Sequence, residues 1–496
     1  MTTAYSNAKT SGRFVLGPLE REIRGELTLA GADTALHLHD AGEFDPGANP
    51  GRCIHGVLND LMKVSLFRCV TTQGLGYTSR GPDTYRSATV FPHFVLSGDR
   101  HVFPDEKAIT HINFSVDDAT TLFYDFLAFG LVMDGAPFIE KVVEPIEKAV
   151  GSKIPTGPDA TILYFAGKRE IIGCDTAIGR VSINHNPRPT SWGGPNGVGL
   201  KNTIVVTIEF PKRLTVEEAI HCISAPLRYL EILAGRPQNI VFLSVRAESG
   251  QHPPTSLTVH WSLAPRRITE GREPHTHDIL LDAIRRPSEF STVLFNWLAR
   301  DAERHHARMR FSNSFNGQQR YTVDRLVGAA NMFDILPNSA VPPDVAIADG
   351  LENARSKSRE SFRALPKSPE RDSVLGALGR IGKPALKRKI GHRVEKITNE
   401  AAIWFPDLIT VTDEAVNCRN YYVHGNDEPS FDYDHHFDAV TFFIDALEFV
   451  FASSELVEAG WDIRLWCGSG TMMSHPFGRF LQNYALRLGE LNKLLT

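Results

Sequence analysis

The chain has 496 residues, of which 42% are hydrophobic, and this length fits about two to four domains with cores of their own. A formal net charge of −5 excludes a protein that coats polyanions over its whole surface, so any contact with nucleic acid must be local. The six cysteines form neither a Cys-x-x-Cys pair nor a zinc spacing, and scattered thiols in a chain of this size are typical of a reducing cytoplasm. Because the sequence has no run of 18 apolar residues and no signal peptide at its start, we expect a cytoplasmic protein without a membrane span.

Short runs of β-branched and aromatic residues, separated by Gly, Pro, Asn and Asp, dominate the first half of the chain. These runs include GELTLA, ALHLHD, VSLFRCV, ATVFPHFVLSG, HINFSV, TILYFAG, GRVSINHN, NTIVVTIEF, NIVFLSV and SLTVHWSL. One segment, LTVEEAIHCISAPLRYLEILAG, has helical periodicity, with Thr215 as its cap and Gly235 as its end. Residues 117–134 fit either a helix or a strand. Residues 1–263 are therefore predicted to form a β-rich domain, a sandwich or barrel with at least one helix.

Residues 264–277, APRRITEGREPHTH, contain two prolines, a glycine and mixed charge, and are predicted to be a linker. Beyond this segment the apolar residues recur at helical spacing, and β signals are nearly absent. Helices are predicted at residues 287–310, 318–336, 345–362, 372–381, 387–405, 407–424, 434–458 and 476–495. The predicted fold class is therefore α+β, a β-rich N-terminal domain followed by an all-α bundle over residues 278–496.

The stretch with the clearest chemical potential is VTDEAVNCRNYYVHG, residues 411–425. Its periodicity predicts a helix that starts after Asp407 and ends at Gly425, with Arg419 in the last full turn and His424 at the end. Imidazole can take and give a proton, and a guanidinium can hold phosphate oxygens and the added charge of a transition state. The pair fits metal-free RNA cleavage with the 2′-OH as the nucleophile. From spacing alone, a capping histidine and a surface arginine are the simpler interpretation.

The geometry of an ideal helix bears on how Arg419 and His424 could act together. Five residues at about 100° each place the two side chains roughly 140° apart around the helix. We therefore expect them to meet at one phosphate only if the helix end distorts, or if a second copy of the helix faces the first.

Two parts of the sequence resemble a known family. RNYYVHG, followed by the apolar helix FDAVTFFIDALEFVFASSELVEAG, resembles the HEPN domain, whose ribonuclease motif is an arginine, a polar residue and a histidine after four to six intervening positions. VLGPLEREIRGELTLAGADTALHLHD, IHGVLNDLMKVSLFRCV and ATVFPHFVLSGD resemble the N-terminal domain of the ApeA proteins, which bacteria use against phage. The two parts occur in the family's order and span most of the chain.

The resemblance implies a HEPN endoribonuclease that acts in abortive-infection defence, needs no metal or cofactor, and cleaves RNA, with tRNA a reasonable substrate class. It assigns the acid/base role to His424, phosphate stabilisation to Arg419, and orientation of the motif or substrate to Asn420. It also implies a homodimer formed through the helical domain and an N-terminal domain that senses a phage-derived trigger. The alternative within the same resemblance is a catalytically silent HEPN module that binds RNA or a partner protein.

Three charged segments of the second half offer further candidates. Lys387, Arg388, Lys389 and Arg393 belong to a basic run that suits RNA phosphates, although a solvated helix face explains it equally well. A metal-dependent nuclease is a second alternative, because Asp434, His435, His436 and Asp438 are ligand types that bind metals; an acidic helix N-terminus is the simpler explanation. AERHHARMR, residues 302–310, is predicted to be an exposed helix end.

Overall fold

The computed structural model describes residues 9–16, 21–40, 53–71, 76–80, 83–190, 199–249, 252–265, 272–317, 320–425, 428–470 and 472–496. The chain divides into two compact units. The first, called the β-rich unit below, comprises Met1–Thr269 and Glu273–Leu298; the second, the helical unit, comprises Glu270–Arg272 and Ala299–Thr496. The predicted fold class is confirmed: a β-rich first part is followed by helices, and the helical unit has no strand among its described residues.

Alternating apolar and polar residues account for the strands of the β-rich unit, because successive side chains point to opposite faces of a sheet. The strands are β1 (Lys9–Leu16), β2 (Glu22–Thr28), β3 (Ala35–Asp40), β4 (Ile54–Leu58), β5 (Lys63–Phe67), β6 (Val70–Thr71), β7 (Gly76–Arg80), β8 (Asp83–Phe91), β9 (Phe94–Gly98), β10 (Ile109–Val116), β11 (Phe129–Val132), β12 (Ile162–Phe165), β13 (Glu170–Thr176), β14 (Gly179–His185), β15 (Arg188–Pro189), β16 (Leu200–Lys201), β17 (Ile204–Leu214), β18 (Ile240–Ser249) and β19 (His252–Trp261). In β1, Phe14 and Leu16 are buried, whereas Arg13 is exposed and pairs with Glu22 of β2. The sequence pattern therefore selects the face of each strand that enters the core.

Within the described ranges, fifteen strands form one antiparallel sheet in the order β13-β14-β17-β10-β18-β19-β9-β5-β4-β1-β2-β3-β8-β6, with β7 also paired to β8. Two further pairs, β11–β12 and β15–β16, stand apart from it. Seven neighbouring strands, β9 through β8 in this order, contribute the side chains of one hydrophobic cluster. Phe14, Leu36, Val64, Val90 and Val95 are fully buried there, which is the main core of this part of the sheet.

The helices of the β-rich unit are α1 (Ala119–Leu122), α2 (Ala136–Val150), α3 (Val216–His221), α4 (Ser224–Ala234) and α5 (Pro287–Ala299). The helix predicted between Thr215 and Gly235 is present as two helices, α3 and α4. Thr215 caps α3 as predicted, by accepting from the Glu218 N–H, and Gly235 ends α4 with φ +70°. Residues 117–134, which fit either structure by sequence, contain both α1 and β11.

The division between the units falls at Leu298, about twenty residues beyond the predicted linker. Helix α5 belongs to the β-rich unit because Phe290 packs on Phe123 and Tyr229, and the Trp297 indole N–H donates to the Ala225 carbonyl. Helical periodicity shows that α5 is a helix, but it does not show which core receives its apolar face. Residues 266–271 of the predicted linker lie outside the described residues.

The helical unit contains α6 (Asp301–Phe315), α7 (Val323–Asp334), α8 (Asp349–Ala364), α9 (Pro369–Arg380), α10 (Leu386–Ala401), α11 (Leu408–His424), α12 (Phe437–Ala459), α13 (Ile463–Gly468) and α14 (Pro476–Leu495). Helix α12 is central: it contacts α6, α7, α10, α11 and α14. Its buried residues include Phe443, Leu447 and Phe451, which explains why its sequence is apolar on almost every side. Among the described residues, no helix combines the length and apolar character needed to cross a membrane.

A buried charge network joins α6, α10 and α12. The Glu455 carboxylate accepts from Arg304, Arg308 and Arg393, and all four side chains are 2% exposed or less. The prediction of an exposed helix end at residues 302–310 is therefore wrong for Arg304 and Arg308. A charged helical stretch looks the same in sequence whether its partners are water or a buried carboxylate, because the partner lies about 150 residues away along the chain.

Candidate active site

Helix α11 ends where the sequence predicts. Val411, Ala415 and Cys418 are buried on its inner face, and Gly425 closes it in the left-handed conformation with φ +66°. The Gly425 N–H donates to the Tyr421 carbonyl at 3.0 Å, which satisfies one of the carbonyls at the helix end. His424 is thus the last helical residue and is exposed, whereas Arg419, one turn earlier, is half-buried.

The side chains of Arg419 and His424 meet within one chain. Arg419 Nη1 lies 3.2 Å from His424 Nε2, so the two side chains meet without a second helix, and their meeting at one phosphate stays a prediction. The angle of about 140° describes where the side chains leave the helix, not how far they reach. Arginine has a long, flexible side chain, and it crosses the last turn to contact the ring.

This contact has one donor–acceptor assignment as a hydrogen bond. A guanidinium has only donors, so His424 Nε2 must be the acceptor and therefore carries no proton. This assignment corresponds to the Nδ1–H tautomer, in which Nε2 keeps the lone pair that a general base requires.

Two amides hold the guanidinium from other sides. Arg419 Nη1 donates to Asn420 Oδ1 at 3.0 Å, and Nη2 donates to Asn331 Oδ1 at 3.0 Å. Asn420 is the polar residue that follows the arginine in the motif. Asn331 lies on α7, 88 positions earlier, and the sequence did not single it out. Its one signal is a polar side chain inside the otherwise apolar stretch AANMF, residues 329–333.

The two tyrosines of RNYYVH turn towards a carboxylate. The hydroxyls of Tyr421 and Tyr422 donate to Asp434 at 3.3 and 2.9 Å, and their rings pack edge to face. Burial raises the pKa of Tyr422, and the hydrogen bond to Asp434 adds to that shift. Tyr433 donates to the buried carboxylate of Glu414 at 2.7 Å, which ties the segment after α11 back to the helix.

The Asp/His cluster does not form the ligand set of the metal-dependent alternative. Asp434 is engaged by the two tyrosines, His436 packs edge to face on Phe431, and Asp438 lies in the first turn of α12. No group of three or more His, Cys, Asp or Glu side chains placed to hold a metal ion occurs among the residues the structure describes. The cluster is ordered by hydrogen bonds and by the acidic start of a helix, so its geometry gives the metal-dependent alternative no support.

The basic run on α10 separates into buried and exposed members. The inclusion of Arg393 among RNA-binding residues is wrong: its side chain is 0% exposed and donates to Glu455 and Glu458 at 2.8 and 2.9 Å. Lys389 pairs with Asp334 at 3.2 Å and is 17% exposed. Arg388 is exposed and Lys387 half-buried, so these two remain accessible to a ligand. The correction follows from helical geometry, because Arg393 lies on the α10 face that packs against α12.

Comparison with known families agrees with this architecture. A family model described as ApeA N-terminal domain 1 matches residues 10–297, more than half of the chain, and one described as Apea-like HEPN matches residues 327–464. Neither a curated protein nor a solved structure matches the chain. The second match includes Asn331, Arg419, Asn420 and His424. A HEPN domain that follows an ApeA N-terminal domain supports a HEPN-type nuclease. The chain therefore belongs to the ApeA family, with ApeA N-terminal domain 1 followed by an Apea-like HEPN domain.

Proposed function

We propose that this protein is a metal-independent endoribonuclease that acts in abortive-infection defence against phage. The observation that carries the proposal is the 3.2 Å contact between Arg419 Nη1 and His424 Nε2, at the exposed end of a helix inside the HEPN match. It brings a phosphate-binding cation and an imidazole nitrogen together in one chain. The substrate class is RNA, because the 2′-OH supplies a nucleophile that DNA lacks.

The first chemical step is activation of the 2′-OH. His424 Nε2 takes the hydroxyl proton while the 2′-oxygen attacks the adjacent phosphorus. Arg419 stabilises the negative charge that grows on the non-bridging phosphate oxygens. The P–O5′ bond breaks, the imidazolium returns its proton to the 5′-oxygen, and the products are a 2′,3′-cyclic phosphate and a 5′-OH. This transesterification needs no external nucleophile and no oxidant.

The resting contacts require a rearrangement before this step. Both hydrogens of Arg419 Nη1 are used, one by Asn420 and one by His424. A phosphate oxygen that takes the second of these hydrogens releases the Nε2 lone pair to the 2′-OH. Substrate binding and activation of the base are then one event, which limits catalysis to a bound phosphodiester.

Lys387 and Arg388 are proposed to contribute the positive charge that draws RNA to the helical unit. Arg388 is exposed on α10, and Lys387 lies near Asp413 of α11, six residues before Arg419. Lys389 is left out of this RNA-attracting pair, because it forms an ion pair with Asp334.

A homodimer joined through the helical unit remains part of the proposal. The argument from poor convergence no longer supports it, since Arg419 and His424 meet within one chain. Its support is the family resemblance, and sedimentation of the active protein decides between a monomer and a dimer.

The proposed chemistry is tested with purified protein and labelled tRNA in excess EDTA, with extract of phage-infected cells added to supply the expected trigger. Metal-independent transesterification predicts unchanged cleavage with 2′,3′-cyclic phosphate ends, and a loss of about 10²-fold or more in His424→Ala. EDTA-sensitive cleavage with 5′-phosphate ends indicates a metal-activated water instead. A folded protein that binds RNA without cutting it, alone or in extracts of infected cells, identifies the silent HEPN module.

A further inference from the structure

We propose that Asn331 is a positioning residue that holds Arg419 in its working orientation while His424 leaves to act as the base. The inference rests on the proposed function and adds a residue outside the RNYYVH segment. The direct observation is the 3.0 Å hydrogen bond from Arg419 Nη2 to Asn331 Oδ1.

During the proposed reaction, one hydrogen bond at the Nη1 end of the guanidinium breaks, whereas the hydrogen bond at the Nη2 end stays. The Nη1 end donates to Asn420 and to His424, and the His424 bond must break for Nε2 to accept the 2′-OH proton. The Nη2 end donates to Asn331, which takes no part in proton transfer. Asn331 therefore supplies an anchor that survives the breaking of the Arg419–His424 bond. Without it, Asn420 would be the remaining side-chain acceptor among the described residues, and one bond leaves the planar group free to rotate.

A rigid scaffold places Asn331. It is half-buried on α7, a helix that contacts both α11 and α12. Six residues earlier on α7, the Arg325 guanidinium forms two hydrogen bonds with Glu448 of α12, at 2.9 and 2.8 Å. Both partners are buried, so this bidentate pair fixes α7 against α12. Six residues span about 9 Å of helix, which makes Asn331 an extension of a fixed element rather than of a loop.

The chemistry of the side chain matters as well as its place. A guanidinium presents only donors, so Asn331 must offer its oxygen, and an aspartate at this position preserves that acceptor. Alanine removes it, and leucine removes it while keeping a similar volume. The three substitutions separate loss of the hydrogen bond from loss of packing.

The test compares Asn331→Ala, Asn331→Leu and Asn331→Asp in the full chain, with Asn399→Ala as the matched control on the exposed face of α10. With extract of infected cells added to supply the expected trigger, single-turnover cleavage of labelled tRNA is expected to slow by roughly 10- to 100-fold in the alanine and leucine variants, with little change in the concentration for half-saturation. The aspartate variant recovers most of the single-turnover rate constant but needs a higher concentration for half-saturation, because its charge repels phosphate. Asn399→Ala behaves as the wild type.

A second readout is independent of turnover. The nitrogen-15 resonances of neutral histidine distinguish the Nδ1–H from the Nε2–H tautomer, and the His424 signal is identified by its loss in His424→Ala. We expect the Nδ1–H tautomer in the wild type and in Asn331→Asp, and a mixture in Asn331→Ala at unchanged melting temperature. The inference is overturned if the tautomer is the same in all variants, or if Asn331→Ala cleaves at the wild-type rate while His424→Ala is inactive. Full activity of His424→Ala would instead remove the proposed function itself.

Discussion

Arg393 of α10 and Glu455 of α12 form an ion pair at 2.8 Å in which neither side chain is exposed at all. Glu455 also accepts from Arg304 and Arg308, so one carboxylate contacts three buried guanidinium groups. Two of these arginines, Arg304 and Arg393, also form ion pairs with Glu458. Helices α10 and α12, which contact α11, are thus held by charges that cannot be removed singly without leaving an uncompensated partner.

Removal of the central carboxylate should destabilise the helical unit. Glu455→Gln leaves buried arginines without their main partner, and the expected loss is about 3–5 kcal/mol of unfolding free energy. Urea denaturation followed by helical circular dichroism measures it. Glu400→Gln, an exposed change on α10, is the control and is expected to stay within about 0.5 kcal/mol. Equal stability of the two variants would show that the network contributes little.

The stability of the helical unit should also depend on pH through Asp445. Burial, with Glu448 acting in the same direction, raises the pKa of Asp445 to about 7, although Tyr321 donates to its carboxylate at 2.9 Å. A carboxyl whose pKa is higher in the folded state contributes stability below its unfolded pKa and loses it as pH rises through about 7. The unfolding free energy of the wild type is therefore expected to fall between about pH 4 and pH 7 more steeply than that of Asp445→Asn, and to run parallel to it above that range. Curves for the two proteins that are parallel throughout would exclude this role.

The β-rich unit is expected to restrain the nuclease until infection. A cell does not tolerate an unrestrained ribonuclease. Restraint needs a difference of only a few kcal/mol in free energy between an inactive and an active arrangement of the protein. Because α5 belongs to the β-rich unit, the fragment to express is residues 299–496, beside the full chain and a His424→Ala fragment. Restraint predicts that only the unmodified fragment stops growth in uninfected cells. A folded fragment that is harmless and inactive would show that the β-rich unit assists substrate binding or assembly instead.

The sequence predicted most of the fold because local rules govern it. Alternation locates strands such as β3 at Ala35–Asp40, and periodicity with Gly425 locates the end of α11, since both depend on neighbouring residues. Long-range partners follow no local rule. Neither the burial of Arg393 nor the bond from Arg419 to Asn331 can be deduced from spacing, because each depends on a helix many residues away. The convergence of Arg419 and His424 was missed for a related reason: helical angles locate Cβ atoms, whereas hydrogen bonds form at the far ends of side chains.

The proposed RNA cleavage by Arg419 and His424 is tested most directly by mapping RNA ends in phage-infected cells that express the wild type, His424→Ala, Arg419→Ala or the control Asn399→Ala. Sequencing that captures 2′,3′-cyclic phosphate and 5′-OH termini measures cleavage in the cell. New ends are expected with the wild type and with Asn399→Ala, and they should fall by about 10²-fold or more in the two motif variants at equal protein abundance. The same new ends at wild-type frequency in a folded, equally abundant His424→Ala protein would contradict catalysis by this site.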